Sequence, residues 1–167
     1  MRAASHGIPF EPIAGLTGSD IPAAAGFRTV KDPYTGVELY AIPAIRPDWA
    51  VIHVQEADGL GNARIYGSSY WDLVMSRAAA RVILTTERLL PTRELARLPE
   101  LTRIPYFLVT AVVHAPEGAK PTSCHPYYGI DEAGVRAYLT AADRRETLWA
   151  YLESTDLALR SEGLPGG

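Results

Sequence analysis

The chain has 167 residues, of which 47% are apolar and 21% charged, with a formal net charge of −3 at pH 7. These values predict one globular domain with a sizeable core, and they provide no basic stripe for nucleic acid. Cys124 is the only cysteine, which excludes an internal disulfide and favours a reducing compartment. No signal peptide and no apolar run near ~18 residues is found, so a cytoplasmic protein without a membrane span is predicted.

The first part of the chain is rich in glycine, proline and alanine and shows little periodicity. Residues 1–36 are therefore predicted to form an irregular N-terminal segment, with one short strand near Pro9–Ile13. The sequence DPYTG at 32–36 is typical of a turn, because proline presets the φ angle of the second position. We place the main domain at residues 37–160 and expect the tail, 161–167, to fray.

Apolar runs in the main domain predict strands, and helical spacing between them predicts helices. The predicted strands are Glu38–Ile42, Trp49–Gln55, Arg64–Tyr66, Val82–Thr86 and Phe107–Val113. The apolar runs lack strict alternation, which is typical of strands covered on both faces, as in parallel sheets. Helices are predicted to begin at four polar N-cap candidates, namely Ser69, Thr92, Asp131 and Asp143. This order predicts an α/β fold with a mostly parallel sheet flanked by helices.

A cluster of polar residues follows the second of these strands, in VIHVQEADGLGN at 51–62. Ligands bind beyond the carboxyl ends of parallel strands, so Gln55, Glu56 and Asn62 are candidate site residues. The alternative is a β-turn in which Asp58 and Asn62 serve as turn residues. The residues alone favour the turn.

Other sequence motifs provide little evidence for a catalytic or metal site. His114, Cys124 and His125 do not have the spacing of a zinc site, so no metal site is predicted. His53 lies inside an apolar strand and is predicted to be a hydrogen-bonded core residue. No dinucleotide fingerprint, phosphate-binding loop or serine-hydrolase elbow occurs in the sequence.

Three segments resemble a known family in the same order along the chain. They are AIPAIRPDWAVIHVQEADGLGNARIYG at 41–67, WDLVMSRAAARVILTTERLLP at 71–91 and IPYFLVTAVVHAPEGAKPTSCHPYYGID at 104–131. Together they resemble the A-type subunit of the class I CoA-transferases, of the glutaconate CoA-transferase kind, over about residues 38–131.

The resemblance implies a CoA-transferase-like α/β domain that works in a pair of A-type and B-type subunits, with the active site in the cleft between them. Such enzymes move CoA between carboxylic acids. A glutamate attacks the acyl-CoA thioester, giving an acyl-glutamyl anhydride and then a glutamyl-CoA thioester. In the glutaconate enzymes this glutamate belongs to the B-type subunit, so the resemblance assigns no nucleophile to this chain. CoA enters as a thioester substrate, and no permanently bound cofactor is implied.

The resemblance also implies roles for particular residues. Ser69 and Tyr70 would offer donors to a carboxylate or phosphate, and Tyr127 and Tyr128 would line the acyl or pantetheine portion. The full set of implied substrate- or CoA-binding residues is Gln55, Glu56, Asn62, Ser69, Tyr70, Tyr127 and Tyr128. Where the family has a histidine in G-A-H-P, this chain has Lys120.

The chain resembles only the C-terminal portion of the family's A-type subunit. The N-terminal half, which carries a Gly-Gly-Phe loop, is expected on another chain, so the partial domain should leave a sheet edge uncovered. We therefore expect a hetero-oligomer with that half and a B-type subunit. Relatives on the same scaffold hydrolyse or decarboxylate CoA thioesters, and a non-catalytic ligand-binding or scaffolding module is a further alternative.

Overall fold

The computed structural model describes residues 1–162. The expected frayed tail falls largely outside these residues, since only its first two positions are described and both are helical. The chain divides into two compact units, Met1–Gly118 and Ala119–Gly167. The boundaries 37–160 for the main domain stay a prediction.

An antiparallel three-stranded sheet organises the beginning of the first unit. Its strands are β1 (Phe10–Ile13), β2 (Arg28–Lys31) and β3 (Glu38–Pro43), in the order β1-β3-β2, and the helices here are α1 (Arg2–Ser5) and α2 (Ile21–Ala24). The predicted turn at 32–36 is present, with the Asp32 carboxylate accepting the Tyr34 N–H at 3.0 Å. Residues 1–36 thus contain more regular structure than their composition predicts, because β1 and β2 both pair with β3.

A five-stranded sheet forms the main part of the first unit. Its strands are β4 (Trp49–Asp58), β5 (Ala63–Arg64), β6 (Arg81–Leu90), β7 (Thr102–Ile104) and β8 (Ala111–His114), and its helices are α3 (Asp72–Ala78) and α4 (Thr92–Leu95). In the order β7-β5-β4-β6-β8, strands β4, β6 and β8 are parallel, while β5 and β7 are added antiparallel. The predicted α/β class with a mostly parallel sheet is confirmed, and β8 lies at an edge.

The hydrophobic core lies on one face of this sheet. Alternate residues of the parallel strands are buried there, among them Ile52, Val54 and Leu84, and Leu73 and Met75 of α3 pack against them. On the opposite face, side chains at the beginning of β4 remain exposed, including Trp49 at 45% and Val51 at 64%. The expectation that both faces are covered is therefore not met within the described residues.

The second unit contains a pair of helices, α5 (Glu132–Ala141) and α6 (Arg145–Glu162). The carboxylate of Asp131 accepts the Gly134 N–H at 3.0 Å, which confirms the predicted N-cap of α5. The rings of Tyr138 and Tyr151 meet edge to face with centroids 6.0 Å apart. Among the described residues, no helix is both long enough and apolar enough to cross a lipid bilayer.

Three of the predicted N-caps are wrong. Helix α6 begins at Arg145, two residues after Asp143. Helix α3 begins after Trp71 rather than Ser69, and α4 begins after Pro91 rather than Thr92, and neither helix has a side-chain cap. Thr92 instead hydrogen-bonds Asp58. Because this tertiary partner occupies the hydroxyl group, the local capping preference of threonine is not realised.

Candidate functional site

The carboxylate of Glu56 is the centre of a hydrogen-bonded cluster at the carboxyl end of β4. Its Oε2 atom accepts from Arg64 Nη1 at 3.2 Å and from the Tyr66 hydroxyl at 2.5 Å. Its Oε1 atom accepts from Arg88 Nη1 at 3.3 Å. The side chains of Glu56 and Arg64 are 7% and 8% exposed, whereas that of Arg88 is 56% exposed. The buried charge is therefore compensated within the chain, and Arg88 connects it to the surface.

Arg64 also ties the β4–β5 hairpin to α4. Its Nη2 atom donates to the carbonyl oxygens of Glu94 and Leu95, both at 3.1 Å. Its Nε atom is buried and has no hydrogen-bond partner among the described residues. The guanidinium group is thus a structural bridge between strand and helix.

Gln55 fixes the backbone of Tyr66 from the other side of β4. Its Oε1 atom accepts the Tyr66 N–H at 3.1 Å, and its Nε2 atom donates to the Tyr66 carbonyl at 3.5 Å. Burial raises the pKa of the Tyr66 phenol and the hydrogen bond to Glu56 raises it further, while Arg64 acts in the opposite sense. The phenol therefore stays protonated at neutral pH and remains a donor to Glu56.

Asp58 and Asn62 build the turn between β4 and β5. The Oδ1 atom of Asp58 accepts the N–H groups of Leu60, Gly61 and Asn62 at 2.9–3.0 Å, and its Oδ2 atom accepts from Asn62 Nδ2 at 2.9 Å. The Oδ1 atom of Asn62 accepts the Tyr106 N–H at 3.2 Å. The turn interpretation of Asp58 and Asn62 is confirmed, while a ligand contact by Asn62 stays a prediction.

Replacing Asp58 with asparagine should lower the free energy of unfolding at neutral pH by about 1–3 kcal/mol, because a buried charged acceptor is lost. Burial, the largest single effect, raises the pKa of Asp58, but the hydrogen bonds from Asn62, Thr92 and Gly61 together hold it below 3.8. The stabilisation from Asp58 is thus present above pH 3.8 and lost as the pH falls through the folded-state pKa.

Urea denaturation from neutral pH to below pH 3.8 measures this effect, with the exposed Asp48→Asn as control. The acid side of the stability profile should be flatter for Asp58→Asn than for the control. Parallel profiles for the two variants would contradict the assigned role of Asp58.

The segment between β5 and α3 places Tyr70 in an unusual conformation. Tyr70 has a φ of 38° and is 86% exposed, and Gly67 has a φ of 87°. The Ser69 carbonyl accepts the Asp72 N–H at 2.8 Å, which closes a tight turn. A left-handed conformation of a large residue is strained and concentrates at functional sites. Ligand contacts by Ser69 and Tyr70 stay predictions.

His53 and Glu87 form a second polar cluster. His53 contacts Thr85 Oγ1 through Nδ1 at 2.8 Å and Glu87 Oε1 through Nε2 at 2.7 Å. It is hydrogen-bonded as predicted, but it is half-buried on the face of β4 that points away from the core, so it is not a core residue. The Oε2 atom of Glu87 accepts the Glu117 N–H at 2.7 Å. Glu117 has a φ of 60°, so this bond stabilises a strained turn after β8.

Tyr127 and Tyr128 belong to the second unit. Tyr128 shapes its own loop, since its hydroxyl accepts the Ala119 N–H at 3.0 Å and its backbone bonds Cys124. Lys120 Nζ lies 5.8 Å from the centroid of the Tyr128 ring. Tyr127 is the more exposed of the two tyrosines. Their predicted contact with an acyl or pantetheine group stays a prediction.

Two cavities of the first unit relate differently to these residues. One of about 470 Å³ is mostly apolar, includes Trp71, and is lined by none of the predicted site residues. A smaller one of about 180 Å³ is lined by Asn62 together with Thr92 and Leu95 of α4. The β4–β5 turn thus borders a small crevice on the α4 side through Asn62.

Comparison with known proteins decides the family. The model of the family described as "Coenzyme A transferase" matches residues 1–115. The chain belongs to the coenzyme A transferase family. This confirms the resemblance found in the sequence, and the match includes both polar clusters of the first unit.

The relatives of this CoA-transferase-family chain are named for different activities. The A-type subunit of 3-oxoadipate CoA-transferase from Pseudomonas knackmussii is 33% identical over 152 residues, covering 90% of this chain and 53% of the relative. The cholesterol ring-cleaving hydrolase IpdA subunit of Mycobacterium tuberculosis is 36% identical over 170 residues, covering 93% and 58%.

Solved structures show the same fold. Glutaconate coenzyme A-transferase from Acidaminococcus fermentans has a TM-score of 0.84 at 29% identity, with 92% of this chain and 54% of that chain covered. A variant of the decarboxylase AibA/AibB has a TM-score of 0.75 at 35% identity, with 91% and 56% covered. The chain therefore spans about half the length of the relatives it matches.

Proposed function

We propose that this chain is the A-type component of a CoA-transferase-family enzyme that acts on acyl-CoA thioesters of small or dicarboxylic acids. The family match over residues 1–115 carries the proposal, and the TM-score of 0.84 to glutaconate coenzyme A-transferase supports it. The CoA thioester is the substrate, and no permanently bound cofactor is assigned. The single cysteine, Cys124, supports a cytoplasmic location.

We assign the nucleophilic glutamate to a B-type partner subunit. Within this chain, Glu56 is already neutralised by Arg64 and Arg88 and hydrogen-bonded by Tyr66. A carboxylate held by three donors is a weak nucleophile, because each donor stabilises its charge. The glutamate of the partner, which attacks the thioester carbonyl with release of CoA thiolate, is therefore a separate group.

The predicted binding residues have two different roles in this proposal. Tyr70 and Tyr127 are exposed and would contact the substrate or the partner subunit directly. Gln55, Glu56 and Asn62 would shape the wall of the cleft by holding Tyr66, Arg88 and the β4–β5 turn. A complete hetero-oligomer would contain the B-type subunit together with the half of the A-type fold that this chain does not span.

Hydrolysis or decarboxylation of an acyl-CoA is the second candidate. The identities to the IpdA hydrolase subunit, 36%, and to the AibA/AibB decarboxylase, 35%, slightly exceed the 33% to the 3-oxoadipate transferase subunit. In this proposal each of the three reactions would begin with an acyl-CoA thioester. They differ in whether CoA passes to an acid, CoA is released by water, or carbon dioxide is lost.

An assay of the assembled complex separates these functions. The chain is co-expressed with the remaining half of the A-type fold and the B-type subunit of a glutaconate CoA-transferase. Transfer from acetyl-CoA to glutaconate, thiol release and carbon dioxide release are then followed. Transfer is the expected result, with a hydroxylamine-sensitive glutamyl thioester on the B-type polypeptide. Formation of a stable stoichiometric complex without any of the three activities would contradict the proposal and favour a non-catalytic module.

A further inference from the structure

His114 is the last residue of β8 and lies at the edge of the sheet where β4 also ends. The strands β4, β6 and β8 are parallel, and Thr86 of β6 pairs with both Val54 of β4 and His114 of β8. The Cα atoms of Val54 and His114 are therefore two strand spacings apart, about 10 Å. Because ligands bind beyond the carboxyl ends of parallel strands, a substrate bound beside Gln55 would lie within reach of His114.

The hydrogen bond of the His114 ring determines its tautomer. The Nε2 atom lies 3.2 Å from the backbone carbonyl oxygen of Glu87. A carbonyl oxygen can only accept, so Nε2 carries the proton of the neutral ring and Nδ1 is an acceptor. Within the described residues no hydrogen bond to this Nδ1 atom is found, and His114 is exposed. The ring therefore offers an acceptor to a ligand.

A buried carboxylate holds the turn that follows His114. The side chain of Glu87 is 6% exposed, and its Oε2 atom accepts the Glu117 N–H at 2.7 Å while Oε1 contacts His53. Glu117 has a φ of 60°, and a Cβ atom at Gly118 would lie 3.0 Å from His53 Cε1. The turn is thus strained and packed against the His53 ring. Strain that the surrounding structure holds in place is concentrated at functional sites, where a second layer of contacts orients the binding group.

The substrates of a CoA-transferase carry two kinds of polar group. The pantetheine portion of CoA has amide N–H groups, which donate hydrogen bonds, whereas the carboxylate of the acid only accepts them. In neutral His114 the donor Nε2–H already bonds the Glu87 carbonyl, and Nδ1 can only accept. The neutral ring therefore matches the pantetheine portion and not the carboxylate.

We propose that His114 binds the pantetheine portion of the CoA thioester, its Nδ1 atom accepting a hydrogen bond from an amide N–H, and that Glu87 is its positioning residue. This inference rests on the proposed function, which supplies the substrate. His114 has no part in the covalent steps here. Its loss should therefore weaken the binding of CoA and leave the chemical step unchanged.

The substitution His114→Gln separates the two ring nitrogens. The glutamine amide reaches the position of Nε2 and can still donate to the Glu87 carbonyl, but it has no acceptor at the position of Nδ1. His6→Gln is the matched control, because His6 is exposed and lies next to α1. Both variants are assembled with the B-type subunit and the remaining half of the A-type fold, and urea denaturation shows whether each chain still folds.

Calorimetry with CoA as the probe and the KM values for acetyl-CoA and glutaconate are then measured. His114→Gln should bind CoA about 5- to 10-fold more weakly than His6→Gln, as expected for one lost hydrogen bond. Its KM for acetyl-CoA should rise by the same factor, with kcat and the KM for glutaconate unchanged. Equal CoA binding by the two variants, no CoA binding by the wild-type protein, or a rise in the KM for glutaconate instead would overturn the proposal.

The tautomer of His114 is measured on the chain alone. Long-range ¹H–¹⁵N spectra of the histidine-labelled protein at alkaline pH distinguish the two ring nitrogens, and His114→Gln identifies the signals. A proton on Nε2 is expected, and a proton on Nδ1 would overturn the proposal. An assembled complex that binds CoA as expected but turns over no thioester would leave this inference standing and count against the proposed function alone.

Discussion

Replacement of Glu56 by alanine should lower the free energy of unfolding by about 3–5 kcal/mol, the usual effect of removing one partner of a buried ion pair. The variant leaves the guanidinium of Arg64 buried, with a side chain only 8% exposed and its opposite charge removed. The hydroxyl of Tyr66 loses its acceptor as well. Arg88 contributes less to the loss, because its side chain is 56% exposed and can be hydrated.

Urea denaturation at neutral pH measures this difference, and Glu132→Ala is a matched control. Glu132 pairs with Arg136 at 3.3 Å in an i,i+4 arrangement, but both side chains are at least 70% exposed. Removing this pair should change the stability by about 0.5 kcal/mol or less. Glu56→Gln keeps the shape and one acceptor oxygen, so its loss should fall between the other two variants.

A stability loss of Glu56→Ala no larger than that of Glu132→Ala would show that water compensates Arg64 and that the cluster is not a buried ion network. The result also matters for function. If Glu56 stabilises the end of β4, a loss of activity in Glu56→Ala can result from unfolding alone. Glu56→Gln removes the charge of the side chain and keeps its shape, so it tests the effect of the charge by itself. The stability measurement is therefore needed before any role of Glu56 in substrate binding is assigned.

The strands of the parallel sheet could be predicted because each contains a long, uninterrupted run of apolar residues. The predicted Trp49–Gln55 and Val82–Thr86 both lie inside longer strands, β4 and β6, which extend through polar residues. Those extensions depend on pairing between the two strands, such as Glu56 with Arg88. Phe107–Val113 was predicted as one strand, but Tyr106–Leu108 forms a 3₁₀ turn and β8 begins at Ala111. The Asn62 side chain accepts the Tyr106 N–H at the beginning of this turn. Because Asn62 is remote in sequence, the local pattern around residues 106–108 does not reveal this contact.

The polar cluster at the end of β4 was predicted, but its partners were not. Gln55 and Glu56 are recognisable in the sequence as polar residues at the end of a strand. No sequence pattern indicates that Arg64 and Arg88 contact them. Their positions follow from register, since Glu56 lies opposite Arg64 in the hairpin and opposite Arg88 in the parallel pair. Register is set by the assembled sheet, so spacing along the chain does not reveal it.

The expectation that both faces of the sheet are covered came from apolar residues at odd and even positions alike. The structure accounts for the even positions of β4, such as Ile52 and Val54, which form the core. It leaves the odd positions Trp49 and Val51 exposed. The continuous apolar pattern of β4 therefore predicts the strand correctly, while the structure places only its even positions in the core.

Replacement of Gly61 by alanine should lower the free energy of unfolding by about 3 kcal/mol, combining backbone strain with overpacking. Gly61 has a φ of 107°, a conformation that side chains rarely adopt, and a Cβ atom would lie 2.7 Å from Val109 Cβ. Val109 packs against the core of the sheet, so it has little room to move. Thermal and urea denaturation both measure the loss.

Gly59, two residues earlier in the same turn, provides the control. A Cβ atom there would meet no atom within 4 Å, and no left-handed φ is required. Gly59→Ala should therefore be neutral or slightly stabilising, by up to about 1 kcal/mol, because alanine restricts the unfolded chain. Opposite signs for the two substitutions would show that packing against Val109, together with the backbone conformation, fixes the position of the turn. Equal small effects would instead mean that the turn shifts freely, and Asn62 could not then hold the Tyr106 backbone in place.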